Sequence, residues 1–167
     1  FLKKWEREWS RFERNNELAK LNRCSVGERL QLSPFFYRLL LEAHTYYVKT
    51  NRHFSPYMKR HMERLGYLHS FSHAQWRPKK NNASEELEVF PPYIFEGNDT
   101  VWKQSAQEVD LGGCAKGYIV DRLVEWFQSL GTTTYGIVDG GGDMRFWSNG
   151  DKCWTIAVAD PYDVTRP

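Results

Sequence analysis

Asp110-Leu-Gly-Gly-Cys-Ala-Lys-Gly-Tyr118 is the stretch on which the architecture turns. The run before it, Gln107 to Asp110, reads as a strand that ends in a carboxylate. Gly112 and Gly113 then form a turn, and Lys116 falls in the first turn of the strongest helix of the chain. That helix starts near Gly113, carries Ile119, Val120, Leu123, Val124, Phe127 and Leu130 on an apolar face, and stops at Gly131. Glycines let a backbone approach a ligand closely, and a helix N-terminus favours anions. Lys116 works against the helix dipole there, so it calls for an anion nearby. The Gly-x4-Gly-Lys-Ser/Thr pattern of a phosphate loop is absent, and Gly112, Gly113 and Gly117 have the wrong spacing for a dinucleotide fingerprint. An anion site and a merely tight strand–helix turn both stay open on these residues alone.

Upstream, the signals are helical. Leu2, Trp5, Trp9 and Phe12 recur at three-to-four spacing and predict an amphipathic helix over Phe1 to Arg14. Asn15 and Asn16 interrupt it, with Asn16 placed to cap a short turn through Leu18 and Leu21. Ser33-Pro34 opens a helix to about Lys49, and Ser55-Pro56 opens another toward Leu65, with Gly66 as its stop. Residues 70–86 read as irregular and polar, Arg77–Lys80 as a solvated loop. Strands are expected at Leu87–Phe90, Tyr93–Phe95, Thr100–Gln104, Thr134–Val138, Met144–Trp147 and Trp154–Ala159. Between two of them lies Asp139-Gly-Gly-Gly-Asp143, either a hairpin turn with Asp143 as its capping residue or a ligand-site loop. Helices first, then a mostly antiparallel sheet carrying one long helix, predict an α+β fold. No internal repeat or linker divides residues 1–167, which read as one domain.

Composition narrows the classes. The chain is 41% hydrophobic and 16% aromatic, which argues for a packed core and against disorder. No run approaches the roughly 18 apolar residues of a membrane span. Net charge is only +2, yet the basic residues crowd into positions 1–80 and the acidic ones into 81–167. Such asymmetry marks either a nucleic-acid surface or two complementary faces, and no nucleic-acid motif accompanies it. Cys24, Cys114 and Cys153 cannot all pair within one chain and fit no zinc or redox spacing, so buried, inert thiols are expected. His69 and His73 have metal-pair spacing only if helical, while His44 and His61 decorate helix faces. The chain opens at Phe1 without Met, signal peptide or lipoprotein cysteine and stops at Pro167, so part of a longer protein is expected.

Four stretches in order carry a resemblance. Val109 to Arg122 is similar, almost residue for residue, to the DLGGIAKGYAVDR segment of the FAD:protein FMN transferases, the ApbE family. Gly140-Gly-Gly-Asp-Met-Arg145 matches that family's GGDIR, and Trp154-Thr-Ile-Ala-Val-Ala-Asp-Pro161 its W-x-V-x-I-x-D-P. Ser10-Arg-Phe12, Asn16-Glu-Leu18 and Leu21-Asn-Arg23 resemble its SRF…SELSRLNR.

The resemblance implies a T-fold-like α+β domain that uses FAD and Mg²⁺. Family members split the FAD pyrophosphate, join FMN to a threonine of a target flavoprotein such as a redox-pump subunit, and release AMP. Asp110 and Lys116 match flavin-dinucleotide contacts, and Gly113 matches a position whose main-chain oxygen reaches Mg²⁺; Lys116 is also the candidate catalytic residue, since its charge can share what develops at the attacked phosphorus. Phe12 falls where the family sets an aromatic against FAD, and His53, Phe54 and Ser55 fall on another FAD-contacting stretch. The implied location is the extracytoplasmic face of the cell membrane, through a lipid anchor these residues do not contain. Phe54-Ser-Pro-Tyr57 stands where the family usually has FDPT, replacing a carboxylate by a hydroxyl. The family's initial Met-Gly segment and its later Thr-Ser-Gly, His-x-x-Asp-Pro and C-terminal magnesium-ligand stretches lie outside this sequence. An FAD-binding or FAD-hydrolysing protein with weak transfer is the alternative that Ser55 motivates, and a nucleic-acid module is the more distant one.

Overall fold

A computed structural model describes residues 7–68, 91–150 and 152–158. The chain divides into two compact units, Phe1–Ala115 and Lys116–Pro167. The first holds helices α1 (Glu17–Arg23), α2 (Pro34–Lys49) and α3 (Lys59–Arg64) and strands β1 (Arg29–Gln31), β2 (Tyr93–Glu96) and β3 (Thr100–Lys103). The second holds β4 (Tyr135–Asp139) and β5 (Met144–Ser148), with α4 (Ala115–Ser129) beginning at the division. The α+β expectation holds, with the sheet split into an antiparallel three-stranded piece, order β1-β3-β2, and a β4-β5 hairpin.

Asn16 organises the N-terminal end. Its Oδ1 accepts from Ala19 N–H at 2.7 Å and caps α1, as its position in sequence predicts. Its Nδ2 meanwhile donates to the carbonyls of Arg7 and Ser10 at 2.6 and 2.7 Å. Those carbonyls sit where the preceding helix would continue, so among the described residues helix ends at Trp9 and not at Arg14. Helix α2 needs less help. Ser33 Oγ accepts from Phe36 N–H at 3.4 Å and Pro34 fills the first helical position. Phe36, Leu39, Leu40, Ala43 and Tyr47 recur at helical spacing and form the buried stripe. Each large member contributes about 1.5–3 kcal/mol on leaving water.

Three expectations fail, for pairing reasons. The helix expected from Ser55-Pro56 starts only at Lys59, because Pro56 O accepts from Asp110 N–H at 2.7 Å and Glu108 O from Lys59 N–H at 3.3 Å. That same exchange ties residues 108–110 to Pro56 and Lys59, and the predicted strand over 107–110 does not form. Strand β1 went unpredicted; it is three residues long and exists through its register with β3, Leu30 opposite Val101. Residues 152–158 take no regular element, against the strand expected over Trp154–Ala159. Alternation of apolar residues there has no described ladder to join. The strand expected over Leu87–Phe90, the loop of Arg77–Lys80 and the pair His69 and His73 lie outside the described residues. Gly66 and Gly131 do end their helices, at φ +100° and +66°. No described helix is long and apolar enough to cross a membrane.

His44 belongs to the core more than to a helix face. Its Nδ1 meets Tyr57 Oη at 2.8 Å, and its ring lies 5.1 Å from that of Phe95. Burial holds its pKa below the ordinary imidazole value. His61 is exposed, as expected.

Candidate functional site

Asn22 fixes the approach to Asp110. Its side chain exchanges two bonds with the Val109 backbone, Nδ2 donating to Val109 O at 2.9 Å and Oδ1 accepting from Val109 N–H at 2.7 Å. An amide side chain thus replaces a strand neighbour, and the next residue is pinned. Asp110 then points its carboxylate at two donors. Arg11 Nη1 reaches Oδ2 at 2.7 Å, and Gly112 N–H reaches Oδ1 at 2.8 Å. The two side chains of this ion pair keep only 10% and 13% of their surface exposed. A Cβ at position 112 would stand 3.1 Å from Asp110 Oδ1, so the carboxylate occupies the space a side chain would need.

The other expected contacts gather on the same unit. Phe12 is exposed, and the Arg11 guanidinium lies 4.7 Å from its ring centroid. Phe54 lies against the Gly-Gly turn: a Cβ added to Gly113 would meet its Cε2 at 3.5 Å. Thr50 Oγ1 accepts from Phe54 N–H at 3.0 Å, after Asn51 and Arg52 reverse the chain at φ +48° and +69°. His53 is exposed. Ser55 caps no helix; its Oγ accepts from Tyr57 N–H at 3.2 Å in a local turn. Phe12, Phe54, Asp110 and Gly113 are therefore linked by contacts, with Pro56 as the backbone anchor between them. Arg11 and Asn22, which hold the group together, are the residues that sequence reasoning missed. Both stood within quoted motifs, yet their partners are 99 and 87 positions away.

In the second unit Lys116 meets the Asp139–Asp143 loop. Lys116 Nζ lies 3.2 Å from Asp143 Oδ2, with 59% and 47% of the side chains exposed. Arg145 Nη1 pairs with Asp121 Oδ1 at 2.8 Å. The anion that Lys116 calls for is thus supplied by Asp143. Turn capping falls to Asp139 and not to Asp143: its Oδ1 accepts from Gly141 and Gly142 N–H at 2.9 and 2.8 Å. Both glycines have positive φ, +81° and +99°, which any side chain would strain.

Among the described residues no three His, Cys, Asp or Glu side chains gather as a metal would require. In the first unit a magnesium ion, which takes oxygen ligands, would find the Gly113 carbonyl and the Asp110 carboxylate, a partial set. The cysteines are free. Cys114 is packed so that burial, with the Asp110 charge adding, pushes its thiol up to about 12. Cys153 is exposed, a correction to the expectation of three buried thiols. A maleimide at neutral pH is expected to modify Cys153 first and to leave Cys114 untouched until the fold is opened, because only the thiolate attacks. Peptide mass mapping over time reads this, and equal labelling of both would contradict the packing around Cys114.

The sequence matches the ApbE family over residues 1–166. No curated protein matches it. Among solved structures, the ApbE protein of Thermotoga maritima is 26% identical, with TM-score 0.79 over 96% of this chain and 53% of that one. The flavinyl transferase ApbE of Pseudomonas stutzeri is 17% identical, with TM-score 0.63 over 78% of this chain and 44% of that one. The flavin transferase ApbE of Vibrio cholerae is 19% identical, with TM-score 0.59 over 78% and 42%. The last two likenesses speak for the fold alone. The chain spans about half the length of these structures.

Proposed function

The chain belongs to the ApbE family, and on that premise we propose that it serves the transfer of FMN from FAD to a threonine of a target flavoprotein, with release of AMP. The observation that carries this is the linked group of Phe12, Phe54, Asp110 and Gly113, whose exposed large aromatic, Phe12, sits beside the largely shielded, oriented Asp110 carboxylate. Phe12 offers its ring to an aromatic part of FAD. Asp110 spends one lone pair of each oxygen on Arg11 and Gly112 and keeps others for donors on the ligand. His53 and Ser55 contribute further polar contacts from the neighbouring turn. Gly113 would lend its main-chain oxygen to Mg²⁺, which when bound supplies charge neutralisation at the pyrophosphate.

In the reaction, the threonine oxygen bonds to the FMN phosphorus and the P–O bond toward AMP breaks. The hydroxyl proton passes to solvent or to the departing phosphate. Lys116, leaving Asp143, shares the negative charge that grows at the attacked phosphorus. The target is a flavoprotein with an acceptor threonine, of the kind found in redox pumps, and the site of action is the extracytoplasmic face of the cell membrane.

FAD fluorescence is expected to be quenched on binding, more with Mg²⁺ than with EDTA. After incubation with FAD and Mg²⁺, mass spectrometry of a threonine-bearing target is expected to show an FMN adduct and one AMP per adduct. FMN and AMP without adduct would favour the hydrolytic alternative. No quenching in either condition would sink both.

A further inference from the structure

Among the described residues, Arg11 touches both the carboxylate and the aromatic assigned to the ligand. Its Nη1 bonds Asp110 Oδ2 at 2.7 Å, and its guanidinium carbon stands 4.7 Å from the Phe12 centroid and 5.9 Å from that of Tyr67. We propose that Arg11 is a positioning residue: it locks the Asp110 carboxylate and backs one face of the Phe12 ring, so that both meet the flavin dinucleotide in a fixed geometry.

Three physical facts support this. The pair is largely shielded from solvent, where an ion pair is screened little. Arg11 holds one carboxylate oxygen while Gly112 N–H holds the other, so rotation or tilt of the carboxylate breaks a bond. Phe12 is 43% exposed even with the guanidinium over it, so ring surface remains for a ligand. A planar cation suits both tasks, since it bonds a carboxylate in its plane and stacks through its face. Lysine does the first without the second.

The inference rests on the FAD reading, and its test separates the two. Arg11→Met and Arg11→Lys are compared with the parent protein, alone and combined with Asp110→Asn. Two readouts are used: amide exchange of Gly112 without ligand, and FAD affinity by fluorescence. Arg11→Met is expected to speed Gly112 exchange selectively, because the carboxylate that accepts its N–H is released. FAD affinity is expected to fall about tenfold, the equivalent of about 1.4 kcal/mol. In the Asp110→Asn background the same change should cost much less, since the carboxylate it positions is gone. Arg11→Lys should restore Gly112 protection but only part of the affinity. Unchanged Gly112 exchange in Arg11→Met, or a loss of affinity equal in both backgrounds, would overturn the inference. If the parent protein fails to bind FAD, the ligand reading falls, while Gly112 exchange still decides whether Arg11 holds Asp110.

Discussion

Lys116→Ala is expected to slow flavin transfer by a factor of about 10² to 10³, the effect of losing about 2.7–4 kcal/mol of transition-state stabilisation, and to leave the melting midpoint almost unmoved. Two small terms oppose each other in the folded protein. The Lys116–Asp143 pair is half-exposed, and such pairs contribute about 0–1 kcal/mol. A cation in the first turn of α4 opposes the helix dipole by a similar amount, about 0.3–1 kcal/mol. Their near cancellation makes the substitution a clean probe of chemistry. Single-turnover rate and thermal midpoint are measured together. An early melt with a preserved rate would reduce Lys116 to the structural partner of Asp143.

How far the sequence could be read depends on the reach of each interaction. Helices α2 and α4 were legible because their signals are local: Ser33-Pro34 at one start, Gly131 at one stop, and a stripe such as Phe36, Leu39, Leu40 and Ala43 between. Hairpin strands β2 and β3 were legible because their partner is adjacent in sequence. Strand β1 was not, since three residues carry no period and Arg29–Gln31 is drawn into the sheet by β3 some seventy positions on. Ser55-Pro56 reads locally as a helix start, and a distant N–H on Asp110 overrides it. The site shows the same division. The glycine turn, Asp110 and Lys116 stand out as a motif, whereas Arg11 and Asn22 look like ordinary members of polar segments until the fold carries them to Asp110 and Val109.

Gly136→Ala is expected to destabilise the protein by about 1–3 kcal/mol, the usual cost of forcing a side chain into occupied space. Gly136 pairs with Trp147 across the β4-β5 ladder, and an added Cβ would fall 2.3 Å from the indole Cη2, 2.4 Å from Cζ2 and 2.9 Å from Cζ3. Contacts so short cannot be absorbed by small shifts. The indole must swing away, and it is not free to do so cheaply, because it stacks on Phe127 with centroids 6.1 Å apart and planes 17° from parallel. Backbone strain is not the cause, since Gly136 lacks the positive φ of Gly141 and Gly142. The clash alone should therefore account for the loss, and removing its other partner should relieve it. Trp147→Leu forfeits the stack on Phe127 but no side-chain hydrogen bond to a described residue, because the buried indole N–H has no partner among the described residues. Combined with Gly136→Ala it should cost clearly less than the two single losses added together. Urea melts of the four proteins measure the coupling, and strict additivity would mean that Trp147 does not lie over Gly136.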